Sequence, residues 1–428
     1  ISGSLFGSAA LTVNYATSDT GTLTLSGDNR YFTGSITVPA GTLSITGTTN
    51  TGAGTITLSG GSLSVAGALT TTGQLSAAST SSGITVNSGG VLNLGSLYAN
   101  YAPGTFAING TLNVASSFTA SWATSKTLTG TGTINVGSYL SQNSSALTIN
   151  TALALNVAGS FLLGNDSSVA TFTQSAGTVT LNTTSADSIR IGHWPTYTGT
   201  YNLSAGTFTV RNIATDIGWD GPGVLSISGG TANLLGIVMT QSGRSGTATL
   251  TLTGGTLNLG ASGITKGGSA TATITLGPGT LGAYANWSSA SSLAITLAAS
   301  STTNFNTLDS VDGLTARTIT LGGLISGTGA LNVTGNGTLV LTNGSNSFSG
   351  GTTITSGTLK YGVANALATT SSVTLGASGF AGTLDLAGYN AQLAGLTVGA
   401  GATAASQVVG NSSTTSNSTL TINGTTSF

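Results

Sequence analysis

From Asn336 to Leu359 the chain reads NGTLVLTNGSNSFSGGTTITSGTL, in which apolar residues alternate with Thr, Ser and Asn and glycine closes each short run. Alternation at period two marks a strand with one face turned inward, and the glycines mark turns. The phrase Gly-Thr-apolar-x-apolar recurs along the whole chain, as GTLTL at Gly21, GTITL at Gly54, GTLNV at Gly110, GTVTL at Gly177, GTLNL at Gly255 and GTLDL at Gly382. Each copy predicts a turn followed by a strand, with glycine supplying unusual backbone angles and β-branched Thr favouring extension. In the middle of the chain Gly177, Gly206, Gly230, Gly255 and Gly279 open related segments 29, 24, 25 and 24 residues apart.

A period in the twenties, made of short strands and glycine turns, predicts a solenoid. The intervals lack the 3.6-residue apolar spacing of helical repeats and the Leu-x-x-Leu phrase of leucine-rich ones, while a propeller blade needs about 40 residues. The expected fold is an all-β, right-handed parallel β-helix with roughly 24 residues per coil, hence about 18 coils and a rod about 85 Å long. Within one continuous solenoid, residues 1–165 read as degenerate repeats, 166–285 as regular coils, and 286–428 as coils carrying the clearest repeat, at about 322–367.

Composition narrows the function. Charged residues make up 4% of the 428 positions, against about a quarter in ordinary soluble domains. Eight Lys and Arg face nine Asp, with no Glu, for a net charge of −1. No basic stripe exists for nucleic acid or anionic lipid, so neither is an expected partner. Mean hydropathy is +0.32, because charges are scarce; no run approaches the roughly 18 apolar residues of a spanning helix, so this segment is not expected to enter a membrane. Zero cysteines exclude disulfides and thiolate metal sites. Apolar residues at 39%, regularly placed, can bury enough surface to fold.

The run from Gly322 to Leu367, GGLISGTGALNVTGNGTLVLTNGSNSFSGGTTITSGTLKYGVANAL, resembles the autotransporter-associated β-strand repeat of passenger regions in large bacterial surface proteins. That family's G-x-G-x-L-x-L segment, Asn-x-Phe, GGTT and GTL are matched by Gly335–Leu341, Asn346–Phe348, Gly350–Thr353 and Gly357–Leu359. Its frequent Lys, an exposed strand residue, is replaced here by Val333, and Thr22 to Ile45 is a looser second copy. The resemblance implies export to the cell surface and a β-helical passenger, without a catalytic activity.

The residues themselves offer little chemistry. His193, in RIGHWPTYTG, is the sole histidine and has no Cys or second His to complete a metal site. Two Asp pairs, Asp216 with Asp220 and Asp309 with Asp312, could bind calcium or act as acid and base on polysaccharide. Turn residues bonding their own backbone are the preferred account. Trp194, Tyr197, Trp219 and Trp287 fall in segments read as lying between strands, where packing over the apolar ladders is favoured over sugar stacking. Asn-x-Ser/Thr triplets at Asn109, Asn182 and Asn286 are expected by chance in so Thr-rich a chain. No catalytic, cofactor or metal residue is assigned, and no cofactor is expected.

Three roles remain. The first is a structural or adhesive fibre of the bacterial surface or extracellular matrix that associates with copies of itself, aided by weak repulsion. The second is a β-helix that binds or cleaves polysaccharide, and the third a binding module, including an ice-binding one, that presents flat Thr rows, which irregular coil lengths and the scatter of Thr between faces disfavour. Convergence of several of the nine Asp in one cleft would favour the enzyme, and dispersal the fibre. Neither end reads as a cap, so Ile1 and Phe428 are expected to border further chain or a neighbouring copy. With eight basic residues on tightly paired coils, native protein should resist trypsin and show no substantial helix by circular dichroism; rapid tryptic fragmentation or strong helical ellipticity would contradict stacked coils.

Overall fold

The computed structural model describes residues 1–13, 20–99, 104–121, 125–165, 169–185 and 188–427. The protein is an all-β parallel β-solenoid of about 16 turns, about 24 residues apart. Helical structure among the described residues is limited to one 3-10 turn, Ala404–Ser406. The turn count is below the 18 expected; the 3-10 turn lies between the strands Ala391–Val398 and Leu420–Ser427, beside a short strand, Val408–Gly410, that stacks in parallel on Gly382–Asp385. The chain divides into two compact units, Ile1–Ile213 with Trp219–Gly223, and Ala214–Gly218 with Val224–Phe428.

In the first unit a five-stranded sheet stacks Thr22–Leu25, Thr42–Ile45, Ser62–Val65, Gly83–Val86 and Thr105–Ile108, in parallel. Register places Leu25, Ile45, Val65, Val86 and Ile108 in one inward row, all buried. Thr24, Ser44, Ser64 and Thr85 alternate with them on the outer face. Each buried aliphatic side chain is worth about 1.5 to 3 kcal/mol. The backbone groups between coils are paired at the same time, so the alternation satisfies apolar and polar demands together.

The corners follow from the same stacking. Strand Val91–Leu94 is joined to Ser96–Ala99 by Gly95 alone, and Ala154–Val157 to Ser160–Leu163 by Ala158 and Gly159. A Cβ on Gly95 would collide with the Thr72 carbonyl, and one on Gly159 with the Ser138 carbonyl of the adjoining coil. Here glycine serves close approach of backbones. At Gly177 and Gly206, where φ is +65° and +81°, it serves the left-handed angle the sequence pattern implied.

The second unit repeats this logic. Its six-stranded sheet includes Thr318–Leu321, Thr338–Leu341, Gly357–Tyr361 and Gly382–Asp385, with Ile319, Leu339, Leu359 and Leu384 in one buried row. A second inward row runs through Leu281, Phe305, Val333, Ile354 and Leu375.

Aromatic rings fill the core of the first unit where coils lengthen. Phe172 stacks on Tyr201 at 5.1 Å and Tyr201 on Phe208 at 4.3 Å between centroids. The buried Tyr201 hydroxyl donates to Gln174 Oε1 at 2.6 Å, and Gln174 Nε2 donates to the carbonyls of Gly177 and Thr207. Burial pushes the Tyr201 phenol pKa well up, so it stays a donor. Tyr201→Phe should strip Gln174 Oε1 of its partner and cost about 1 to 3 kcal/mol. A urea denaturation midpoint unchanged by this substitution would contradict the buried bond.

Candidate functional site

Several of the described charged residues pair with near neighbours. Asp28 and Arg30 form an exposed pair at 2.8 Å, and hydrogen bonding from Arg30 holds the Asp28 carboxyl below its ordinary range. Asp385 lies 3.4 Å from Lys360; burial pushes its carboxyl up, but Ser412, Ala387 and Lys360 outweigh that and lower it. Asp216, buried on the strand Thr215–Ile217, accepts from Gln241 Nε2 at 2.9 Å. Asp220 belongs to the Trp219–Gly223 segment of the first compact unit, whereas Asp216 belongs to the second. Asp19, Asp166, Asp187 and Phe428 lie outside the described residues. Among the described residues, no three His, Cys, Asp or Glu side chains are placed to hold a metal ion.

His193 packs structurally. Arg190, from the strand Ile189–Ile191, lays its guanidinium 3.7 Å from the centroid of the Trp219 ring. Arg190 Nη1 lies 3.3 Å from His193 Nδ1. A guanidinium only donates, so Nδ1 is the acceptor and the proton of the neutral ring sits on Nε2. Trp219 is buried under Arg190, and Trp194 is 49% exposed beside the imidazole. Trp287, read from sequence as lying between strands, sits on the strand Trp287–Ser288, buried, with Nε1 donating to the Gly282 carbonyl at 3.1 Å.

The second Asp pair organises a loop. Asp309 Oδ1 accepts from the Val311 amide at 2.7 Å, and its other oxygen from Arg317 Nε at 2.8 Å. Burial raises the Asp309 carboxyl, yet the Val311 amide and Arg317 outweigh it and hold it low. Asp312 Oδ1 accepts from the amides of Leu314 and Thr315 at 2.8 and 2.9 Å, and the Thr315 hydroxyl donates to Oδ2. These donors place both carboxylates in turn roles, as the sequence reading preferred.

A different feature escaped the sequence reading. Asn93, Asn113, Asn135 and Asn156 occupy the same outward position on four successive coils. Each donates Nδ2 to the side-chain oxygen of the coil before: Asn93 to Thr70 Oγ1 at 3.0 Å, Asn113 to Asn93 and Asn135 to Asn113 at 2.8 Å, Asn156 to Asn135 at 2.9 Å. The ladder floors a groove of about 420 Å³, continuous through Asn93, Leu94 and Ala115 with a second of about 600 Å³ over Thr70–Thr72 and Ser116. The sequence did carry a signal, Asn between two apolar residues in VLNL, TLNV, TINV and ALNV.

Two segments, residues 18–45 and 331–360, match the family model of the passenger-associated-transport-repeat. The chain carries this repeat. No curated protein and no solved structure matches the chain. In the second passenger-associated-transport-repeat, Asn346 is buried, its Oδ1 accepting from the Ile325 amide at 2.8 Å and its Nδ2 donating to the Ala366 carbonyl at 2.9 Å. The motif Asn thus ties its own coil to those on either side, beside buried Phe348. In the first repeat Asn29 is buried likewise, accepting from the Leu5 amide and donating to Thr49 Oγ1. Val333, expected at an exposed strand position, faces the core instead, because Leu331 and Val333 take the inward places of Ala330–Thr334.

The Asp312 carboxyl is held at about 2 by the Thr315 hydroxyl and the two amides, below the ordinary carboxylate value of about 3.9. A depressed folded value stabilises the loop above pH about 4, an advantage lost as pH falls toward 2. Hydrogen exchange at Leu314 and Thr315, corrected for intrinsic rate, should therefore lose protection over that window. Asp312→Asn should show the loss already at pH 5. Protection that is flat with pH and unchanged in the variant would contradict the assignment.

Proposed function

We propose that the chain is part of the exported passenger of a bacterial surface protein, where it serves as a non-enzymatic scaffold that associates with further copies of itself. The observation that carries this reading is the pair of passenger-associated-transport-repeats at residues 18–45 and 331–360 of a β-solenoid. The described carboxylates support a role without catalysis: Asp309 and Asp312 bond turn amides, and Asp28, Asp309 and Asp385 pair with nearby cations. A net charge of −1 over 428 residues leaves little repulsion between copies, which supports self-association.

Intact cells expressing the parent gene, stained without permeabilisation by an antibody raised against residues 1–428, should be labelled. Labelling only after permeabilisation would overturn surface exposure. In sedimentation experiments the purified chain should form species that grow with concentration and persist in high salt. A single monomeric species at every concentration would remove the self-association.

A further inference from the structure

We propose that the asparagine-floored groove of the first unit is a binding site for a neutral, extended glycan, a chain of 1,4-linked hexopyranoses lying parallel to the ladder. This goes beyond the scaffold role and does not depend on it.

The ladder leaves part of its hydrogen-bonding capacity unused. A primary amide has two N–H donors and two acceptor lone pairs. Within the ladder Asn113 and Asn135 each spend one donor and one lone pair on their neighbours. One donor and one acceptor per coil therefore remain, and all four asparagines are half-buried, open to the groove that Asn93, Asn113, Asn135 and Asn156 line. Because the bonded amides point the same way and polarise one another, the row is held rigid. It is an ordered template that repeats once per strand spacing, about 4.8 Å.

Charge and pitch select the ligand. No charged residue lines either groove, so a phosphate, uronate or charged peptide would lose hydration there without gaining a partner. An extended peptide presents equivalent backbone groups on one edge about every 6.8 Å, and a polyproline helix advances about 3.1 Å per residue. The extended strand falls out of step with the ladder within two coils, whereas a polyproline helix, with three residues to the turn, recurs about every 9.3 Å, close to two spacings, but its prolines have no N–H to offer the free amide oxygens. Successive rings of an extended 1,4-linked glycan alternate in facing, so equivalent hydroxyls recur every two rings, near two strand spacings, and these hydroxyls both donate and accept, as the free halves of the amides require. The wall on one side is kept low by Ala115, Gly137 and Ala158, which leaves room for a ring.

Calorimetric titration of the full chain with cellohexaose, a neutral 1,4-linked hexasaccharide, tests the proposal. Saturable binding is expected, with no heat from a polygalacturonate hexamer of similar length. Ala115 is exposed on the groove wall, so Ala115→Trp should fill the site and weaken binding at least tenfold. The near-isosteric Asn113→Asp should weaken it as much by removing a donor and adding a charge, while Ser44→Trp, on the outer face of the five-stranded sheet, should leave it unchanged. Circular dichroism establishes that each variant is folded. No saturable binding of cellohexaose, equal binding of polygalacturonate, or undiminished binding by folded Ala115→Trp and Asn113→Asp overturns the assignment. Self-association that Ala115→Trp abolishes, in the absence of cellohexaose binding, overturns it in favour of a second copy as occupant.

Discussion

In-register stacking of short parallel strands is the constraint on which the rest of the molecule depends. Once Leu25, Ile45, Val65, Val86 and Ile108 must lie one above another, the identity of the neighbouring residues is restricted. Inward positions must be aliphatic or aromatic, because a polar group there would need a partner in the core. At Gln174 a polar group does occur there, and it is bonded by Tyr201 and two carbonyls. Corner positions must be small, because the carbonyl of the adjoining coil occupies the space a side chain would take, as at Gly95 and Gly159.

The same constraint accounts for the near absence of charge. A residue on the outer face has a near-identical neighbour about 4.8 Å away on each side. Rows of like charge at that spacing repel, whereas amides and hydroxyls can donate one way and accept the other. Asn93 to Asn156 use this freedom outside the core, and Thr374 with Thr397 does so in the second unit. Among the few charges that remain, Asp28 pairs with Arg30 and Asp309 with Arg317 within a strand or loop, and Lys360 pairs with Asp385 across one coil.

Asn346 shows how a repeat can be recognisable without a site. Its two bonds reach Ile325 and Ala366, so the residue links three coils through groups no aliphatic side chain could satisfy. A motif position of this kind holds adjoining coils together. His193 is comparable: it contrasts with the uniform sequence around it, yet its ring accepts from Arg190 and packs against Trp194.

The sequence by itself determined the coil. Alternation, glycine spacing and the absence of helical periodicity are local properties, and a strand of four residues with one apolar face has few alternatives. The passenger repeat was legible for the same reason, and so were the turn roles of Asp309 and Asp312, whose partners lie within eight residues. What the tertiary structure decided is which outward residues of different coils meet. Asn93, Asn113, Asn135 and Asn156 are separated by 20, 22 and 21 residues, a spacing too irregular to align by counting. Only the pairing of whole strands brings them into one row. Val333 faces inward and Trp219 lies beneath Arg190 for a related reason, since an orientation depends on where pairing begins and a tertiary contact on the lengths of the turns between strands.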